Sequence, residues 1–316
     1  MSAALQPSPP ARKNPSRKKR IRILMRRSTF RAAMVLSWGA SLGGTFGTRL
    51  TAHALGHVLW LRHWRQHKNM AEGIATALSR PLVEAQRILR LSYVDSSRTA
   101  LEFLQFFADL DRETLLHAPV IPHGLEHLDA ALAAGRGAVL AGMHLGNFTY
   151  APTWLAERGY PISLVAKEAK HVPPGTYHNG LARRGIEAIV VDGSPQVMQR
   201  ILAALRLNRA VYIAIDQGAA RSDLVLPFLG RPMPVAGGAA LAALRAKSPL
   251  LPTILWREQN GYHLEIHPAM TCPAAGPLKE RIITVTQDLL AGFAQSVAAH
   301  PEQWGWGFRR RWRDGP

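Results

Sequence analysis

The stretch AVLAGMHLGNFTYAP, residues 138–152, is apolar for six residues, reaches His144, turns through Gly146 and Asn147 and becomes apolar again. A short apolar run bounded by a turn signal reads as a buried strand. The same texture recurs in ISLVA (162–166), AIVV (188–191) and AVYIAI (210–215). Between these runs, EHLDAALAAG (126–135), YAPTWLAERG (150–159) and SPQVMQRILAALRLN (194–208) have the length and spacing of helices. Continuous apolar strands separated by helices imply βαβ units and a mostly parallel central sheet, so the fold class is α/β. PLLPTILWRE (249–258) and GYHLEIHP (261–268) add two strands, and Gln259, Asn260 and Gly261 between them signal a hairpin. A last helix is expected at 278–299.

Upstream of this domain the pattern changes to apolar residues at three- and four-residue spacing, broken near SRPL (79–82). We therefore expect a disordered basic tail over 1–27, a helical, membrane-associated region over 28–118 and the α/β domain over 119–316. The chain carries 39 Lys+Arg against 21 Asp+Glu, a net charge of +18. Residues 12–31 supply ten of the basic residues and no acidic one, and without them the balance is 29 against 21. Such a block attracts polyanions of any kind, whether nucleic acid, anionic lipid or an acidic carrier protein. Arg31 and Arg49 bracket 17 uncharged residues that include four glycines. That is short of the roughly 20 needed to cross a bilayer, so a membrane-dipping helix flanked by arginines is expected rather than a clean span. The single Cys272 excludes an internal disulfide framework and a cysteine-rich metal site.

In open α/β sheets, working residues gather at the carboxyl ends of the strands. His144 follows AVLAGM at such an end, and Asp216 follows AVYIAI at another. No HExxH and no His/Cys/Asp cluster with metal-ligand spacing is present, so no metal is expected. Neither a GxGxxG fingerprint nor a Walker loop occurs, and no cofactor is expected. What remains is a histidine acting as general base toward a hydroxyl that the substrate supplies.

MHLGNFTYA resembles the histidine box, His-x4-Asp/Glu, of the bacterial late-stage lipid A acyltransferases within the wider glycerolipid acyltransferases. The likeness extends in order through AVYIAIDQGA, through VLPFLGRPMPVAGGAALAALRAKSPLLPTILWRE and to PEQWGWGFRRRW. Upstream, HKNMAEGI and SRPLVEAQRILRLSYVD resemble the segment that precedes the family's domain, so the match runs over roughly 30–312. The resemblance implies one glycerolipid-acyltransferase-like domain on the cytoplasmic face of the inner membrane, held peripherally or by a single N-terminal anchor. Its activity would be transfer of a fatty acyl chain from acyl-carrier protein or acyl-CoA to a lipid hydroxyl. Carried onto this sequence, His144 is the base, and a backbone amide near Gly146 and Asn147 or a nearby cation meets the developing oxyanion. Lys167, Arg183 and Arg184 would meet phosphates or the carrier, while Asp216 and Gln217 would shape the polar floor. Trp304 and Trp306 are expected to close the core, with the last arginines on the surface. Nucleic-acid binding would need a recognisable module, and none is present.

One position departs from the family. Four residues separate His144 from Thr149, where the family places a carboxylate. A carboxylate there fixes the imidazole tautomer and stabilises the imidazolium, as in serine-protease triads; a hydroxyl brings no charge. Three explanations stand open. The enzyme works with a more reactive donor or acceptor, another acid such as Asp216 substitutes, or catalysis is lost and lipid or carrier binding is kept.

Overall fold

The computed structural model describes residues 17–108, 118–167, 175–217, 224–258 and 261–306. Four helices come first: α1 (Arg17–Leu42), α2 (Gly44–Arg62), α3 (His67–Leu78) and α4 (Leu82–Ala108). Strands and helices then alternate as β1 (Val120–His123), α5 (Leu125–Ala133), β2 (Ala138–Gly142), α6 (Tyr150–Glu157), β3 (Ile162–Ala166), α7 (Thr176–Ala182), β4 (Glu187–Val190), α8 (Gln196–Arg206) and β5 (Ala210–Ala214). The chain closes with the hairpin β6 (Val225–Phe228) and β7 (Arg231–Pro234), then α9 (Gly238–Ala246), β8 (Leu250–Glu258), β9 (Gly261–Ile266) and α10 (Leu278–Ala299).

Seven strands form one sheet in the order β1-β9-β8-β2-β5-β3-β4. Every neighbouring pair is parallel except the β8–β9 hairpin, whose register closes at Glu258 opposite Gly261. The two-residue link of that hairpin lies outside the described residues. Successive residues of β2 serve opposite faces. Val139 and Ala141 belong to a core that includes α3, α8, α9 and α10, and Ala138 and Leu140 to one that includes α5 and α6. A strand buried on both faces has no polar side to alternate with, which is why it reads as an unbroken apolar run.

The strands and helices expected from the apolar runs are present, with AIVV displaced by one residue to 187–190. β1, α7 and the β6–β7 hairpin were not among the expected elements. β1 contains Pro122, which lacks an N–H and so weakens the strand signal, but β1 is an edge strand, where proline is tolerated. The β6–β7 hairpin carries three prolines, Pro227, Pro232 and Pro234, in a two-stranded sheet that stands apart from the main one.

The uncharged run between Arg31 and Arg49 is not one helix. It bends between α1 and α2 at Gly43 and Gly44, where Gly44 takes φ +58°, a region other residues avoid. The hairpin leaves Val35, Trp38, Leu42, Phe46 and Leu50 exposed. Among the described residues, the one helix long and apolar enough to cross a membrane is instead α10. Val285, Leu289, Phe293 and Val297 of that helix are buried in the core.

Candidate active site

Parallel pairing of β2 with β5 sets Gly142 opposite Ala214, and the Ile215 amide continues the ladder by donating to the Gly142 carbonyl at 3.0 Å. Two residues beyond that register pair the chains deliver His144 and Asp216 side by side. Asp216 is fully buried, and its Oδ1 lies 2.5 Å from His144 Nδ1. The same oxygen accepts the His144 backbone N–H at 3.1 Å. Its other oxygen, Oδ2, accepts the indole N–H of Trp304 at 3.1 Å. Three donors converging on one carboxylate fix its position and the plane of the imidazole it holds. The His144 side chain remains 26% exposed, so the ring edge away from Asp216 reaches open space.

That space is a cavity of about 800 Å³, within the usual span for small-molecule sites. Its walls are apolar, with Phe103 and Phe106 from α4, Leu164 from β3, Leu181 from α7 and Ile201 from α8. His144, Thr149, Lys167, Gln217 and the phenol of Tyr212 supply its polar points. Burial, and then the Asp216 charge, push the Tyr212 phenol well above its ordinary pKa, so it stays a neutral hydroxyl.

The loop after His144 is held from behind. Gly146 has φ +52°, and its amide donates to the Gln303 carbonyl at 3.0 Å while its own carbonyl accepts the Thr99 hydroxyl at 3.3 Å. A Cβ at Gly146 would stand 2.9 Å from Gln303 Oε1, so the position excludes a side chain on sterics as well as on φ. Asn147 is buried and donates Nδ2–H to Glu102 at 3.0 Å, and the Thr149 hydroxyl donates to Asn147 Oδ1 at 2.8 Å.

Several sequence expectations change. The acid beside His144 is Asp216, 72 residues along and one of the three explanations offered above, while the Thr149 hydroxyl donates to Asn147. The Gly146 amide, offered as an oxyanion donor, is spent on Gln303. Arg184, expected to meet phosphates, has a side chain only 6% exposed: its guanidinium lies 4.3 Å from the Phe106 ring and 3.7 Å from Glu157. Arg183 is exposed at the end of α7 and does not line the cavity, whereas Lys167 and Gln217 do. Trp304 and Trp306 are fully buried as expected, but the Trp304 bond to Asp216 escaped the sequence. Phe308, Trp312 and the arginines 309, 310, 311 and 313 lie outside the described residues. A Gly39-x-Ser41-x-Gly43 spacing, which a serine hydrolase would place on a strand-to-helix elbow, falls here at the α1–α2 bend. The Ser41 hydroxyl is bonded to the Trp38 carbonyl of its own helix.

Among the described residues no group of three or more His, Cys, Asp or Glu side chains could hold a metal. A family model described as bacterial lipid A biosynthesis acyltransferase matches residues 15–314. A phosphatidylinositol mannoside acyltransferase of Mycobacterium tuberculosis (strain H37Rv) is 36% identical over 185 residues, which cover 57% of this chain and 56% of the relative. The protein of the same name from Mycolicibacterium smegmatis is 29% identical over 184 residues, covering 57% and 58%. The aligned region thus spans a little over half the length of these relatives.

Proposed function

We propose, from the premise that this chain belongs to the bacterial lipid A biosynthesis acyltransferase family, that it moves a fatty acyl chain from an acyl thioester to a hydroxyl of a membrane glycolipid. The observation that carries this reading is the His144–Asp216 pair at the polar end of an apolar cavity. With Nδ1–H donated to Asp216, the Nε2 of His144 is the basic nitrogen. It takes the proton of the acceptor hydroxyl as the oxygen attacks the thioester carbonyl carbon. The tetrahedral intermediate then collapses, the C–S bond breaks, and the imidazolium returns its proton to the departing thiolate. Asp216 stays ionised throughout and balances the imidazolium charge. Lys167 and Gln217, on the cavity lining, are the side chains we place near the developing oxyanion. The donor is acyl-carrier protein or acyl-CoA, and the acyl tail lies along the Phe103, Phe106 and Ile201 walls.

Sugar hydroxyls are the acceptor class we favour, because the relatives' names specify a mannoside of phosphatidylinositol and the family's description specifies lipid A. A family member that binds lipid or acyl carrier without catalysis is the second reading, and we favour it less because Asp216 lies within hydrogen-bond reach of His144. We place the protein on the cytoplasmic face of the inner membrane, docked through the exposed apolar side chains of the α1–α2 hairpin.

The test incubates the purified chain with labelled acyl-carrier protein or acyl-CoA and extracted membrane lipids. Transfer to a glycolipid is expected in the wild type and lost in His144→Ala. Transfer persisting in the variant removes His144 from the reaction, and no transfer with either donor overturns the reading.

A further inference from the structure

Behind the His144 loop lies a buried polar chain that the transfer chemistry does not use. It runs from Thr149 to Asn147 to Glu102, and Glu102 is shared among several donors. Its Oε2 accepts Arg257 Nη2–H at 2.8 Å and the Tyr262 hydroxyl at 3.1 Å, and its Oε1 accepts Arg98 Nε–H at 2.7 Å. Arg257 also pairs with Asp95 through Nη1. Glu102, Asn147, Thr149 and Arg257 are all buried.

The direction of each bond follows from Glu102. Burial pushes its pKa up, but Arg257 and Arg98 more than offset this, so its carboxyl sits below the usual range and is ionised. An ionised carboxylate only accepts. Asn147 must therefore present Nδ2 to it, which leaves Oδ1 facing Thr149. A carbonyl oxygen there requires a donor. Threonine and serine have one, and an ionised aspartate or glutamate does not. Turning the amide over to suit a carboxylate at position 149 would set Oδ1 against Glu102, an unsatisfied contact between buried acceptors.

We infer that Asn147 is a positioning residue for His144, that Glu102 and Arg257 fix the polarity of its amide, and that this polarity selects a hydroxyl donor over a carboxylate at position 149. Thr149 is then part of a support rebuilt around the loop, and its position is not that of a lost catalytic acid. A loop tethered in this way holds the ring two residues upstream of Gly146 in line with Asp216.

The kinetic arm of the test rests on the proposed acyl transfer. Thr149→Val keeps the side chain's shape and removes its hydroxyl, and with it the donor to Asn147. It is expected to lower kcat roughly ten- to a hundredfold through misplacement of the base. Thr149→Ser recovers most of that loss. Thr149→Glu loses at least as much as the valine variant, and adding Glu102→Gln, which can donate toward Asn147, recovers part of it. A second arm needs no turnover. In protein carrying ¹⁵N-labelled histidine, the Nδ1–H proton of His144, identified by its loss in His144→Ala, should move or broaden in Thr149→Val and stay in place in Thr149→Ser. Activity of Thr149→Glu at or above wild type overturns the inference, as does a valine variant that matches wild type in both arms. If the wild type transfers no acyl group at all, the acyl-transfer reading fails, and the resonance of His144 still decides the positioning role.

Discussion

Asp216 and Glu102 are both almost fully buried and both help hold the His144 loop, yet their surroundings differ in kind. Asp216 accepts from a titratable ring that opens onto the cavity, from a backbone amide and from an indole. Glu102 accepts from two guanidiniums, a phenol and an amide, all of them buried except the partly exposed Arg98. A buried carboxylate beside a partner that gains and loses a proton can support proton transfer. One held between permanent cations has no such freedom and acts on structure. The two sites divide the work of one loop.

The comparison breaks most sharply at Asp216. Asp216→Asn keeps the shape but not the charge, and activity should fall by about 10⁴, while the denaturation midpoint moves little. Steady-state transfer assays beside urea melts separate the two effects. Arg257→Met inverts the pattern. It leaves Asp95 and Glu102 in the core without their shared cation, and the expected loss is about 3–5 kcal/mol of stability, read from urea unfolding. Should Asp216→Asn unfold the protein, or Arg257→Met leave its stability intact, the division between the sites is wrong.

The smallest effect concerns two histidines away from both carboxylates. Burial is the main cause that holds His67 and His300 below their ordinary value of 6.5. For His67 the bond to the Trp60 backbone opposes this, and for His300 the nearby carboxylates of Glu302, Glu258 and Glu265 do. A histidine whose folded pKa is depressed contributes stability above 6.5, and that contribution is lost as pH falls through the folded value. The melting temperature should therefore decline on acidification from about pH 7 to about pH 5.5, and the slope should flatten in His300→Gln. An unchanged slope would remove His300 from the account.

How much of this was legible follows from what is local. The strands at 138–142, 162–166 and 210–214 and the helix at 278–299 announce themselves because burial on both faces, or on one helical stripe, leaves its period in adjacent residues. β1 and the β6–β7 hairpin do not, because their prolines suppress the strand signal and a short pair carries no long period. Arg184 read as a substrate cation because charge is visible in a sequence, whereas its burial against Phe106 and Glu157 is not. Trp304 read as core, which it is, but its indole hydrogen bond depends on where Asp216 stands.

The sequence by itself determined that an apolar strand ends at His144 and another just before Asp216, since both runs are contiguous in the chain. Which acid serves the histidine was decided by tertiary structure alone. Parallel pairing of β2 with β5 equates Gly142 with Ala214, and that register brings together side chains 72 residues apart that no local spacing connects. Thr149, five positions from His144, bonds instead to Asn147, whose amide in turn bonds to Glu102, 45 residues before Asn147 on α4.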